Sequence, residues 1–136
     1  QKLQTFAAHD DRITSVRYSP NGQFLASGSW DNTVKLWTAD GKPLKTLTGH
    51  TGQVTNVQFS PDGKTIASTS YDTTIKLWNL DGKELKTLKG HTSTVTRVGF
   101  SQDGEKLISA SSDGNIKLWD FKRGSVLANL KRNSST

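Results

Sequence analysis

Apolar and polar residues alternate along this chain in short runs, each closed by a turn signal. "VTNVQFS" (54–60) is rich in β-branched and apolar residues. "SPDG" (60–63) closes it as a turn: proline pre-sets φ and glycine supplies a left-handed position. "TIASTS" (65–70) begins apolar and then turns small. Asp72-Thr73 makes the next turn, "TIKLWN" (74–79) alternates, and Asp81-Gly82 turns again before "ELKTL" (84–88). Such runs are too short, and too often broken by Gly and Pro, for helices. They predict four strands, and loops this short make successive strands antiparallel neighbours. The predicted unit is a four-stranded meander.

That unit recurs. His9, His50 and His91 lie 41 residues apart (50 − 9 and 91 − 50), as do Asp31, Asp72 and Asp113, and Trp37, Trp78 and Trp119. Residues 9–49 and 50–90 share 22 identities in 41 positions without a gap. A repeat of this length decides architecture before any single motif does. One such sheet has two faces and too little core to stand alone. Stacking sheets face to face buries both faces. Small residues Ala67, Ser68 and Ser70 suit the crowded inner part of the stack, and Trp78 suits the space between sheets. Repetition around an axis gives a propeller. The expected fold class is all-β: three four-stranded antiparallel blades in an incomplete ring, since a closed one takes typically about 4–8 blades.

Gly49-His50, the pair Ser70-x-Asp72, "IKLW" (75–78) and the 41-residue period together resemble the WD-repeat (WD40) β-propeller family. The resemblance runs from about residue 2 to 131. The name-giving Trp-Asp pair is complete only at Trp119-Asp120; the other copies read Trp37-Thr38 and Trp78-Asn79, and the first Gly-His is Ala8-His9. The expected organisation is a single propeller segment over 1–136, with blades at about 9–48, 50–89 and 91–131. "KLQTF" (2–6) aligns with "LKTLT" and "LKTLK" and reads as the outer strand of a preceding blade. "VLANL" (126–130) supplies the last blade's fourth strand, and Arg132-Asn133 stands where another Gly-His would begin a fourth unit. The chain is therefore expected to be a piece of a longer propeller, with self-association closing the ring as the alternative. A start at Gln1 rather than Met points the same way.

Composition narrows the function. The chain has 136 residues, the size of one ordinary domain. It has no apolar run of about 18 residues, so no transmembrane helix is expected, and no signal-like segment opens it. With no cysteine, neither disulfides nor thiolate metal sites can form. That fits a reducing, cytoplasmic location. A formal charge of +6 and a pI of 9.7 permit contact with nucleic acid. The lysines, however, are scattered singly. Lys35, Lys76 and Lys117 recur at one strand position and read as a solvated face, and the clustered basic footprint of a nucleic-acid binder is absent. Asn133-Ser134-Ser135 spells a glycosylation acceptor, a match short enough to arise by chance.

His50, Ser70 and Asp72 are also the residue types of a hydrolase triad. The set occurs three times, as His9, Ser29, Asp31; His50, Ser70, Asp72; and His91, Ser111, Asp113. An enzyme does not need three equivalent nucleophiles, and no G-x-S-x-G elbow is present. Three histidines without cysteine at this spacing make a poor metal set. No catalytic residue, cofactor or metal is expected. The family resemblance implies instead a hydrogen-bonded network inside each blade, with Trp37, Trp78 and Trp119 as the third-strand members. In the second copy Trp78 would donate to Ser70, Ser70 to His50, and His50 to Asp72. Full satisfaction is what allows such groups to be buried.

The resemblance further implies a non-enzymatic interaction scaffold whose partner, a peptide or protein, sits on the loop end of the ring. By position that face comprises Arg12, Thr14 and Trp30; Gln53, Thr55 and Tyr71; and Thr94, Thr96 and Ser112. The position between the network serine and aspartate changes from Trp30 to Tyr71 to Ser112 while the framework around it hardly varies. Exposed Trp, Tyr and Arg most often dominate binding energy. The bland alternative is that Trp30 and Tyr71 only cover a neighbouring loop. Two other functions stay open: an anion or nucleic-acid surface using the positive charge, and a regulatory sensor domain of a larger multidomain enzyme.

Overall fold

A computed structural model describes residues 8–130. Among these residues there are twelve strands and no helix. The first sheet holds β1 (Ile13–Tyr18), β2 (Phe24–Ser29), β3 (Val34–Thr38) and β4 (Pro43–Leu47). The second holds β5 (Val54–Phe59), β6 (Thr65–Ser70), β7 (Ile75–Asn79) and β8 (Glu84–Leu88). The third holds β9 (Val95–Phe100), β10 (Lys106–Ser111), β11 (Ile116–Asp120) and β12 (Ser125–Leu130). In each sheet the strands lie in sequence order and pair antiparallel. These are the three expected meanders, and they do not close into a ring. The outer strand expected at 2–6 lies outside the described residues, as do residue 131, Arg132 and the Asn133 acceptor.

The turns follow from the residues that make them. Gly63 adopts φ 72° at the end of Ser-Pro-Asp-Gly, a conformation in which a Cβ is penalised. Asp62 locks that turn by accepting from Ser60 Oγ at 2.6 Å and from the Lys64 amide at 2.9 Å. The turn between the second and third strands also requires a left-handed residue. The three blades fill it with Asn32 (φ 75°), Thr73 (φ 73°) and Gly114 (φ 89°).

Two apolar cores lie between the sheets rather than within them. Ala26, Val34, Leu36 and Leu47 of the first sheet pack on Val54, Val57, Phe59, Ile66 and Trp78 of the second. Ala67, Ile75, Leu77 and Leu88 of the second pack on Val95, Val98, Leu107, Trp119 and Phe121 of the third. The two sets match position for position across the 41-residue period, Phe59 and Phe121 aside. The buried leading faces thus carry Val, Ile or Leu with aromatics, and the buried trailing faces Ala, Val or Ile, and Leu. Alternation along each strand sends neighbouring side chains to opposite faces, so a strand buried on both sides serves two interfaces.

Candidate partner-binding face

Behind the loop end of each blade runs a chain of polar side chains. In the second blade the Trp78 indole donates to Ser68 Oγ at 2.8 Å. Ser68 Oγ lies 2.7 Å from His50 Nε2. The indole can only donate, so the serine oxygen accepts there and its own proton goes to Nε2. The imidazole proton then sits on Nδ1 and is donated to Asp72 Oδ2 at 2.8 Å. Asp72 Oδ1 accepts from the Thr74 amide at 2.9 Å and from Thr74 Oγ1 at 2.6 Å. The first blade repeats the relay: Trp37 to Ser27 at 3.0 Å, Ser27 to His9 at 2.7 Å, and His9 to Asp31 at 2.9 Å.

One member differs from the sequence expectation. The relay serine is Ser68, with Ser27 and Ser109 as its equivalents, and not Ser70, Ser29 or Ser111. The register explains this. Trp78 pairs across the sheet with Ile66, so Ser68 is the next position along the same face, whereas Ser70 lies two residues further toward the loop. Ser70 has another task. Its hydroxyl donates to Gly52 O at 3.0 Å and accepts the Asp72 amide at 3.0 Å. It ties the turn carrying Asp72 to the entry of β5. Ser29 does the same with Arg12 O at 2.8 Å and the Asp31 amide at 3.1 Å. Residue type could not separate two serines on one face of a strand; only the cross-strand register could.

The third blade departs further. Trp119 donates to Ser109 at 2.8 Å, and Ser109 lies 2.7 Å from His91 Nε2. There the relay stops, and His91 Nδ1 is buried without a partner. Asp113, expected to accept it, instead takes the Asn115 amide at 2.9 Å, Asn115 Nδ2 at 3.2 Å and Thr92 Oγ1 at 3.2 Å. Asn115 stands where the other blades have Thr33 and Thr74. Its side-chain amide reaches back and holds the carboxylate.

Titration follows this geometry. Burial pushes the His50 pKa below its ordinary value, and the bond to Asp72 offsets only part of the effect. Burial also lowers His91, reinforced by the Lys117 charge. Burial pushes Asp72 upward, but bonds from Thr74 and His50 outweigh it and leave the carboxyl below its ordinary value.

The lysines read as a solvated face are more enclosed than expected. Lys76 Nζ bonds Glu84 at 3.0 Å and Thr87 at 2.9 Å. Lys117 is buried and reaches Asn129 at 2.6 Å. The glycine before the histidine is closely packed in the second and third blades: a Cβ on Gly49 would fall 2.8 Å from Glu84 Oε1 and 3.2 Å from the Trp78 ring, and one on Gly90 3.2 Å from the Trp119 ring.

The loop end brings together six of the nine residues assigned to the partner face. The Trp30, Tyr71 and Ser112 amides donate to Arg12 O, Gln53 O and Thr94 O, each at 2.9 Å. These bonds hold the variable position beside the start of the first strand in every blade. The Arg12 guanidinium stacks 4.3 Å over the Trp30 ring, a cation–π contact. Tyr71 is 52% exposed. Ser112 shares a 2.7 Å hydroxyl contact with Ser93. The other three assigned residues are occupied elsewhere. Thr14 Oγ1 donates across the blade junction to Val54 O at 2.7 Å, and Thr55 Oγ1 to Val95 O at 2.5 Å. Thr96 Oγ1 donates to Ala110 O within its own sheet at 3.2 Å.

The WD domain, G-beta repeat family model matches residues 1–38, 41–79 and 82–120. The second and third matched units run from the fourth strand of one sheet through the third strand of the next. Among curated proteins the chain is similar to the periodic tryptophan protein 2 homolog of Schizosaccharomyces pombe, 46% identical over 37 residues, covering 27% of this chain and 4% of that protein. It is similar to ribosome assembly protein 4 of Chaetomium thermophilum, 47% identical over 38 residues, 27% of this chain and 7% of that protein. Guanine nucleotide-binding protein subunit beta-5b of Danio rerio is 52% identical over 29 residues, 21% of this chain and 7% of that protein. Each match thus spans a small fraction of the relative's length. Because the family model covers most of its length, the chain belongs to the WD-repeat family.

Proposed function

We propose that this WD-repeat chain is a non-enzymatic interaction scaffold that receives a peptide or protein on its loop end. The observation that carries the reading is the row Trp30, Tyr71, Ser112. The backbone bonds that present these residues are the same in all three blades, while the side chains differ. A row that served packing alone would keep its size. The complete relays of the first two blades tie their loops to the sheet behind them, which favours a pre-organised face and lowers the entropy lost on binding. The names of relatives are consistent with work inside assemblies: a ribosome assembly protein, a subunit of a guanine nucleotide-binding protein, and a protein of the U4/U6 small nuclear ribonucleoprotein. Those names also support an intracellular setting. Among the described residues no helix is long and apolar enough to cross a membrane.

Arg12, Trp30, Gln53, Tyr71, Thr94 and Ser112 form the proposed contact surface. Thr14, Thr55 and Thr96 support it from beneath. The test is the double variant Trp30→Ala, Tyr71→Ala, assayed against a partner captured by the intact protein. Binding should weaken by roughly 2 kcal/mol or more, with the denaturation midpoint nearly unchanged. A lower midpoint with unaltered binding would show that these aromatics only pack. Salt dependence separates the anion-binding reading: a steep loss of affinity with salt marks phosphate contacts, a shallow one a peptide surface.

A further inference from the structure

The first strands of adjacent blades lie against each other, while the fourth strands make no comparable contact. The fourth strands β4, β8 and β12 therefore run along the outer rim, each paired on one side only, with β3, β7 and β11. Half of the backbone N–H and C=O groups of such a strand point away from its neighbour and can pair with another chain. Blades meet face to face, so a neighbouring blade covers a face and leaves this edge open. The second blade shows it. Both of its faces are covered, yet Leu85 in β8 is 46% exposed.

The three edges are not alike. In register they read Pro43, Leu44, Lys45; Glu84, Leu85, Lys86; and Val126, Leu127, Ala128. The leucine is the bulged residue of each strand, skipped between two cross-strand pairs. A bulge re-aims its side chain, and Leu44 and Leu127 are 42% and 50% exposed, close to Leu85. The flanks of the leucine differ. Proline removes a donor, and a charged side chain discourages a second strand from adding to an edge. β4 has Pro43 and Lys45, and β8 has Glu84 and Lys86. β12 has neither a charge nor a proline from Ser125 to Leu130, and Val126 is 41% exposed. Among the described residues it makes no backbone bond outside its own sheet.

Cations flank this uncharged edge. In the turn before the outer strand the first two blades carry Asp40 and Asp81, where the third carries Lys122 followed by Arg123. Both are exposed, and Arg123 reaches Asp120 only at 3.8 Å. Lys131 and Arg132 come next after the strand in sequence.

We propose that β12 receives an extended segment of a partner protein as an added strand, apolar at alternate positions and carrying carboxylates at its ends. The partner backbone pairs with the free edge of β12, its apolar side chains pack on Val126 and Leu127, and a carboxylate faces Lys122 and Arg123. Strand addition draws affinity from main-chain hydrogen bonds and specificity from alternate side chains. A second copy of this chain is the poorer occupant, because it would bring its own cations to the same edge. The rim contact is separate from the loop-end face and leaves that face free.

The probe is a synthetic peptide of alternating valine and threonine with aspartate at both ends, titrated against the intact protein by calorimetry and amide hydrogen exchange. It should bind, and amides of Ser125–Leu130 should gain protection. Methylating the peptide nitrogens along one edge should abolish binding, and along the other edge should leave it intact. Val126→Pro with Ala128→Lys gives β12 the residues that β4 carries in the same register. It should weaken binding about tenfold or more without lowering the melting midpoint. Ala128→Lys alone, a milder change, should act in the same direction. The variant Trp30→Ala, Tyr71→Ala should bind the probe as the intact protein does, which separates this contact from the loop-end one. Four results overturn the proposal: no binding of the probe; equal binding by both β12 variants; equal affinity for a probe ending in lysines; or a dimer joined through β12, which would make a second copy the occupant.

Discussion

The second and third blades carry the same four residue types at the same spacing, yet only the second completes its relay. His50 Nδ1 meets Asp72 at 2.8 Å, while His91 Nδ1 is buried with no acceptor. The difference lies two residues beyond the aspartate. Thr74 donates to the far oxygen of Asp72 and leaves the near one to the imidazole. Asn115 has a longer, amide-bearing side chain and draws Asp113 away. The turns reverse the advantage. The third blade fills its left-handed turn position with Gly114, whereas the second forces Thr73 to φ 73°. A β-branched residue there is strained. Each blade is thus well built where the other is not, and the motif residues alone do not reveal which.

The largest break in this comparison is expected at the shared hub of the relay. Ser68→Ala strands both the Trp78 indole and His50 inside the blade, at a cost of about 2–3 kcal/mol. A denaturant melt would read it, and a midpoint equal to the unmutated protein would remove the relay as a source of stability. His50→Ala should cost roughly 1–3 kcal/mol. His91→Ala should cost less than His50→Ala, because it breaks one bond instead of two. Equal losses would mean that the Asp72 contact contributes nothing.

A repair should follow the same logic. Asn115→Thr frees the Asp113 carboxylate for His91 and should stabilise the protein by about 1 kcal/mol. The histidine Nδ1 proton, seen by nuclear magnetic resonance, would gain protection from exchange. An unchanged melt with an unprotected proton would place the fault elsewhere in the third blade.

A weaker effect separates the blades by pH. Both histidines have pKa values lowered by burial, against about 6.5 in the unfolded chain. Between that value and the folded ones the unfolded chain binds more protons, so stability falls as pH falls. Asp72 adds a second loss only below its ordinary value near 3.8. Replacing His91 with Gln should flatten the first decline, measured as melting midpoint against pH. An identical slope in both proteins would exclude His91 as its source. The smallest change is expected at the turn. Thr73→Gly relieves a left-handed Cβ, a cost of about 1–2 kcal/mol, and gives back part of it through the looser unfolded chain. The net gain should be roughly 0.5 kcal/mol, and a loss would show that the Thr73 side chain makes a contact worth more than its strain.

Much of this molecule was legible in the sequence. The strands at 54–60, 65–70, 74–79 and 84–88 match the observed β5 to β8 to within one residue, because period-two alternation and Gly, Pro and Asp turn chemistry are local. The 41-residue period fixed the number of sheets. Trp78 was placed between blades correctly, because a large apolar residue among small ones has nowhere else to go. The partner face was legible only as a row of positions. Sequence assigned Thr14 and Thr55 to it with Tyr71, and only the packing of one blade on the next showed their hydroxyls turned to a neighbouring carbonyl.

Local chemistry and repetition thus determined which elements form, how many, and which residue types recur together. The tertiary structure decided which atoms of those residues meet. Ser68 rather than Ser70 receives the indole, and His91 loses its carboxylate, because both outcomes depend on ångström-scale reach across a strand register and around a turn. A hydrogen bond weakens steeply with angle and distance, so a list of donors and acceptors cannot say which pairs close.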